Sequence, residues 1–209
     1  VTPSDTPRPT DTPEPAAAAL RVAFVRGNVG KTDIYSISPD GSDERCVACR
    51  PCDEAEPAWS PDRRLVAFQS DCGGSYDIWV APGLGGEARQ LTTAPADERE
   101  PDWSPDGSQI VYRVNPPNKD RNSDGELQIM AADGSGSFGL GVSGRAPAWS
   151  SDGRRIGFMS ERDGGWEIYI YDLDMGDTVR LTTCEAECRF PDWSPDGRAL
   201  IYHTTGSAG

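Results

Sequence analysis

"PAWSPDRRLVAFQS", residues 57–70, places a tryptophan directly before a Ser-Pro-Asp turn and an apolar run directly after it. The same arrangement returns as "PDWSPDGSQIVYRV" (101–114), "PAWSSDGRRIGFMS" (147–160) and "PDWSPDGRALIYHT" (191–204). Trp59, Trp103, Trp149 and Trp193 are therefore spaced at intervals of 44, 46 and 44 residues. A fixed period of this length marks a repeat architecture, in which each unit is too small to bury its apolar face alone. Within a unit, Ser-Pro-Asp-Gly suits a tight hairpin. Proline presets φ, Asp accepts local backbone hydrogen bonds, and Gly takes the left-handed position without steric cost. Arg63 stands in place of that Gly and Ser151 in place of that Pro, so those two turns are expected to be looser.

A second module follows each Trp segment: "YDIWVAPG" (76–83), "LQIMAADG" (127–134) and "EIYIYDLDMG" (167–176), with "DIYSISPDG" (33–41) ahead of the first. A third element closes the unit, clearest in "ARQLTT" (88–93) and "TVRLTT" (178–183). Short apolar runs rich in Val, Ile, Phe and Tyr, bounded by turn residues, favour strands over helices. One unit thus reads as a four-stranded antiparallel sheet, with the indole offered to the neighbouring sheet. The repeated acids Asp62, Asp106, Asp152 and Asp196 sit at turn positions and are assigned to structure.

The pattern P-x-W-S-P-D-G…I-x-F…D-I-Y…D-G…L-T resembles the repeat of the TolB-like, or WD-repeat-like, β-propellers, over roughly residues 21–204. The resemblance implies an all-β propeller of four-stranded antiparallel blades around a channel, and commonly protein–protein or peptide interaction. Fold alone does not fix function. The expected organisation is a Pro/Thr-rich extended arm over 1–20 and a propeller over 21–209. The propeller is expected to have four to five blades with incomplete terminal blades. It opens on a second strand, "RVAFVR" (21–26), and ends just after another, "ALIYHTTGSAG" (199–209), giving seventeen strands in all. Terminal remnants with unpaired edges invite a strand from a neighbour. The arm is a candidate donor, restricted by its prolines to an edge position.

Composition narrows the function classes. The chain of 209 residues carries a net charge of −14, which disfavours nucleic acid and anionic lipid as partners. No apolar run approaches the ~20 residues of a membrane span. The first fifteen residues hold five prolines and four threonines, the composition of an exported stalk. Six cysteines, Cys46, Cys49, Cys52, Cys72, Cys184 and Cys188, read as disulfides of an exported protein, extracellular or at the cell surface. Cys184 and Cys188 suit a local clamp. Cys72 reaches one of the earlier three and leaves two to pair, and the sequence leaves the choice open. The alternative for "CVACRPC" is a zinc site, with three thiolates and no nearby His.

One loop breaks the rhythm. In "NPPNKDRNSDGELQIM" (115–130), Asp120, Asn122, Asp124 and Glu126 match the opening of a calcium loop, with Gly125 at the bend and no carboxylate at the twelfth position, Ala131. Calcium is the cofactor this loop suggests, the alternative being a solvated Asn/Asp turn. A catalytic triad lacks a base, because the only histidine, His203, lies on the final strand, and no G-x-S-x-G, P-loop or dinucleotide fingerprint occurs. The expected function is a non-catalytic interaction module or a self-assembling subunit, binding a protein or copies of itself. A peptide- or glycan-binding propeller is the alternative, and a glycan-acting hydrolase or lyase with an unrecognised acid pair comes third.

Overall fold

Each Ser-x-Asp turn is closed by the same hydrogen bonds. The serine hydroxyl donates to the aspartate two residues on, 2.6 Å in all four copies (Ser60–Asp62, Ser104–Asp106, Ser150–Asp152, Ser194–Asp196). The same hydroxyl accepts the N–H of the residue five positions on, at 2.9–3.0 Å (Leu65, Gln109, Arg155, Ala199). Looseness at the two irregular copies is not what the structure shows. Arg63 adopts the left-handed conformation, φ 59°, that Gly107, Gly153 and Gly197 adopt elsewhere. The Ser150–Ser151 turn keeps its full set of bonds. The departure from consensus is met by strain at Arg63, not by an open turn.

These turns organise sixteen strands in a computed structural model that describes residues 20–28, 30–120 and 122–205. Blade I is β1 (Val22–Asn28), β2 (Lys31–Ile37) and β3 (Arg45–Ala48); blade II is β4 (Glu54–Trp59), β5 (Leu65–Ser70), β6 (Asp77–Pro82) and β7 (Arg89–Gln90). Blade III is β8 (Asp97–Trp103), β9 (Gln109–Asn115), β10 (Gly125–Ala131) and the start of β11 (Phe138–Trp149). The rest of β11 opens blade IV, with β12 (Arg155–Ser160), β13 (Glu167–Asp172) and β14 (Asp177–Arg180), so blades III and IV form one seven-stranded sheet. Blade V is β15 (Glu187–Trp193) and β16 (Leu200–Thr205). Counting β11 once for each blade it serves recovers the seventeen strands expected. All pairings are antiparallel. Of the arm expected over 1–20, residues 1–19 lie outside the described residues.

The Leu-Thr-Thr runs show how a two-residue strand suffices. Past β7, Leu91 N–H donates to the Ile78 carbonyl (2.8 Å), and Ile78 N–H returns a bond to the Thr92 hydroxyl (2.9 Å). Leu181, Thr182 and Ile168 repeat this at the same distances. A threonine side chain takes over where the backbone ladder stops.

The indoles hold neighbouring sheets together. Trp103, 5% exposed, packs with Ala67, Ile78 and Val80 of blade II and with Ile110, Tyr112 and Met130 of blade III. Trp149 joins Val111 and Ile129 of blade III to Ile156 of blade IV. Trp59 packs against a core shared by blades I and II, and there Gly83 is required: a Cβ on it would lie 2.1 Å from the indole. The Nε1 groups of Trp103 and Trp193 donate back to carbonyls of the preceding blade, Ala58 and Ala148, each at 3.2 Å.

The interface between blades II and III also buries an acid pair. Asp77 and Glu98 are 2% and 4% exposed. Asp77 Oδ2 accepts from Gln90 Nε2 at 3.0 Å, while Asp77 Oδ1 and Glu98 Oε2 are buried without a donor. Burial pushes the Glu98 carboxyl up to about 7, and the Asp77 charge adds to the effect. Burial raises Asp77 as well. Below the pH at which Glu98 titrates the pair retains a proton, because ionising both acids away from water is costly.

Candidate functional site

Each strand that carries a repeat tryptophan (Trp59, Trp103, Trp149 or Trp193) has a proline two residues before its indole: Pro57, Pro101, Pro147 and Pro191. Proline has no N–H for the ladder, so the strand must bulge there. The register of β4, β8, β11 and β15 slips at this point against the next strand. The residue ahead of each proline takes a positive φ: Glu56 (51°), Glu100 (56°), Ala146 (46°) and Phe190 (53°). The bulges of blades II to V converge on one cavity of about 400 Å3, the channel. Sequence reading missed them, although a proline in the middle of four strands was the available signal.

The bulges are latched in series. The N–H of Glu100 donates to Gln69 Oε1 of blade II (3.1 Å), that of Ala146 to Glu100 Oε2 of blade III (2.7 Å), and that of Phe190 to Met159 Sδ of blade IV (3.4 Å). Asp102 adds a further link, accepting the Trp149 N–H at 2.6 Å. Burial lifts its carboxyl to about 6, against the pull of the Trp149 and Trp103 N–H groups.

Charge in the channel is uneven. Glu100 is bound by Arg113 through two bonds of 2.9 and 3.0 Å and approached by Arg145 at 3.4 Å. Arg113 is 1% exposed, so this carboxylate neutralises an arginine sealed inside the protein. Glu56 is open to the channel water, yet the surrounding walls push its carboxyl up, and the Glu100 charge adds to that. Arg145, Arg113 and Arg99 pull it down.

A second pocket of about 500 Å3 adjoins the first through Arg145 and Phe190, and contains Trp166 and Arg189. Asp120 and Asn122 of the irregular loop line it. Asp120 Oδ1 accepts the Asn122 N–H at 2.9 Å in an Asx turn. Asp124 turns to blade IV, where its Oδ2 accepts from the Ser160 hydroxyl at 2.6 Å, and its Oδ1 is buried without a donor. Glu126 lies within β10, its side chain exposed and bonded to Gln128.

The cysteines pair as Cys46–Cys49, Cys52–Cys72 and Cys184–Cys188, leaving none free. Three disulfides belong to an oxidising, non-cytoplasmic environment. Among the described residues no helix is long and apolar enough to cross a membrane.

The family model of the TolB beta propeller domain matches residues 7–138, well over half of the chain. The chain belongs to the TolB-like β-propellers. Among solved structures, TolB from Acinetobacter baumannii superposes with a TM-score of 0.78 at 23% identity, over 90% of this chain and 48% of that one. The Tol-Pal system protein TolB of Alcanivorax borkumensis is 39% identical over 56 residues, 26% of this chain and 13% of that protein. A puromycin-hydrolysing peptidase of Mycobacterium tuberculosis shares the fold, with a TM-score of 0.65 at 17% identity, over 87% of this chain and 31% of that one. The TolB-like chain thus spans less than half of the solved TolB and a small part of the curated relative.

Proposed function

We propose that this TolB-like chain is a non-catalytic, exported interaction propeller, extracellular or at the cell surface, which binds a protein segment at its channel mouth. One observation carries the reading. The residues that pack blades recur in every copy, whereas those that line the channel at equivalent positions change from acidic in blades II and III (Glu56, Glu100) to apolar in blades IV and V (Ala146, Phe190). A uniform scaffold that presents a non-uniform surface is suited to recognition. The exposed Phe190, which lines both pockets, offers an apolar anchor beside charged groups. Panning a phage-displayed random peptide library against the immobilised protein tests this. Enriched peptides are expected to bind Phe190→Ala at least tenfold more weakly and Met175→Ala, on a distant exposed turn, unchanged. No enrichment, or cleavage of the peptides, would overturn the reading.

A second reading is self-association through the open sheet edges of blades I and V. Val22 and Val25 on β1, and Ile201 and Tyr202 on β16, are large apolar side chains left 40–67% exposed. Among the described residues Asp192, the counterpart of Asp102, accepts only the N–H of Trp193 on its own strand (2.8 Å) and so offers its latch to a further blade. Light scattering that shows one monomeric mass across concentration removes this reading.

A further inference from the structure

Three consecutive blades place an arginine just before the bulge: Arg99, Arg145 and Arg189, where blade II has Ala55. In a chain of net charge −14 these three form a basic set at one register position, of which Arg145 lines the channel cavity. Two of its members meet in the 500 Å3 pocket over one buried indole. The Arg145 and Arg189 guanidinium carbons lie 5.6 and 5.1 Å from the Trp166 ring centroid. Stacking on an aromatic face leaves the planar edge of a guanidinium directed outward for a carboxylate.

Neither guanidinium is saturated by the protein. The Nε–H groups of Arg145 and Arg189 are buried and donate to nothing. Among the described residues the Arg189 side chain, 29% exposed, has one ion-pair partner, Glu187 at 2.8 Å, which is itself 41% exposed. Arg145 is held by the Asn122 carbonyl (3.0 Å) and, more loosely, by Glu100 (3.4 Å). Asp120 and Glu161 also line the pocket, both exposed, and oppose a ligand that carries only negative charge. A peptide supplies both complements, a carboxylate for the arginines and backbone N–H donors for the two acids.

We infer that the Arg145–Trp166–Arg189 pocket binds a carboxylate of an extended peptide, with Arg189 as its principal ligand. The inference rests on the proposed interaction function and names the chemistry recognised there. Fluorescence anisotropy with three labelled dodecapeptides tests it: a Gly-Ser-Glu repeat amide, its Gly-Ser-Gln counterpart, and a Gly-Ser peptide with a free C-terminus. Binding of the Glu peptide alone assigns a side-chain carboxylate, and binding of the free C-terminus alone assigns a terminal one. In either case Arg189→Gln is expected to weaken binding at least tenfold. Glu187→Gln, which removes the internal competitor of Arg189, is expected to tighten it several-fold, an effect that misfolding cannot imitate.

Equal binding of the Gln peptide, indifference to Arg189→Gln, or weakening by Glu187→Gln overturns the inference. So does binding of oligogalacturonate with none of the three peptides. If panned peptides depend on Phe190 but ignore Arg189→Gln, the interaction function stands and only the carboxylate assignment falls.

Discussion

Arg63 shows what a single residue can and cannot do in a repeated turn. Its φ of 59° is the conformation reserved for glycine in the other three copies, and a side chain there costs about 1–2 kcal/mol. Glycine recovers that strain and loses some of it to the entropy of a freer unfolded chain. Arg63→Gly should therefore stabilise the protein by about 0.5–1 kcal/mol, read as a higher denaturant midpoint at unchanged slope. Ser151→Pro restores the consensus proline at a residue that follows the hydrogen-bonded Ser150 and precedes Asp152. It should add about 0.5–1 kcal/mol by stiffening the unfolded chain. Asp124 supports the opposite kind of test. Its bond to Ser160 ties the irregular loop to blade IV, so Asp124→Asn should cost about 1 kcal/mol without any metal. A loss that appears only when calcium is present would establish the ion at Asp120, Asn122, Asp124 and Glu126, and an equal loss with chelator would assign Asp124 to the loop alone.

Strands and the interfaces between them carry the pH dependence. Glu98 titrates near 7 in the fold against an ordinary value of 4.5. Its carboxyl keeps its proton in the folded state, so the associated stability is complete below pH 4.5 and is lost as pH rises to about 7. Asp102, lifted to about 6, acts in the same direction. Asp106, held down to about 2 by the Ser104 hydroxyl and the Ser108 N–H, acts oppositely, and its contribution fades below pH 4. Thermal melts across pH should thus peak near pH 4–5. Glu98→Gln, which retains a donor toward Asp77, should flatten the fall by about 1–3 kcal/mol at pH 8. A profile that Glu98→Gln leaves unchanged would show that the acid pair is not its source. None of this was legible in the sequence, where Asp77 and Glu98 are two acids among thirty-four. Their meeting depends on how one blade leans on the next. The strands themselves were legible, because Trp, Ser and Asp act within a few residues of each other. The bulges were half-legible: the four prolines announce a break in pairing, but not that Glu56, Glu100, Ala146 and Phe190 face a common channel.

For the whole molecule, repetition implies that stability is built from each blade and its contacts with its neighbours. Blades II to IV each have a neighbour on both sides, and blades III and IV share the continuous strand β11. Blade V has two strands, and β16 is exposed over nearly its whole length. Its attachment rests on Trp193 against the preceding blade, the Phe190–Met159 latch, and the Cys184–Cys188 clamp beneath Trp166. Native-state hydrogen exchange should therefore be graded along the chain. Protection is expected to be greatest in β5, β9 and β12, whose side chains are the most completely buried, and least in β16 and β1. Trp103→Ala removes the indole from the central interface and should cost about 3–5 kcal/mol, lowering protection throughout. Trp193→Ala should loosen β15 and β16 alone, because opening an end breaks one interface and not two. If both variants lower protection uniformly, the five blades unfold as a single unit and the nearest-neighbour picture fails. If Trp193→Ala acts locally, blade V is the part free to open. The Arg189 and Phe190 side of the pocket would then move with it, which makes the channel mouth the natural place for a partner to be admitted.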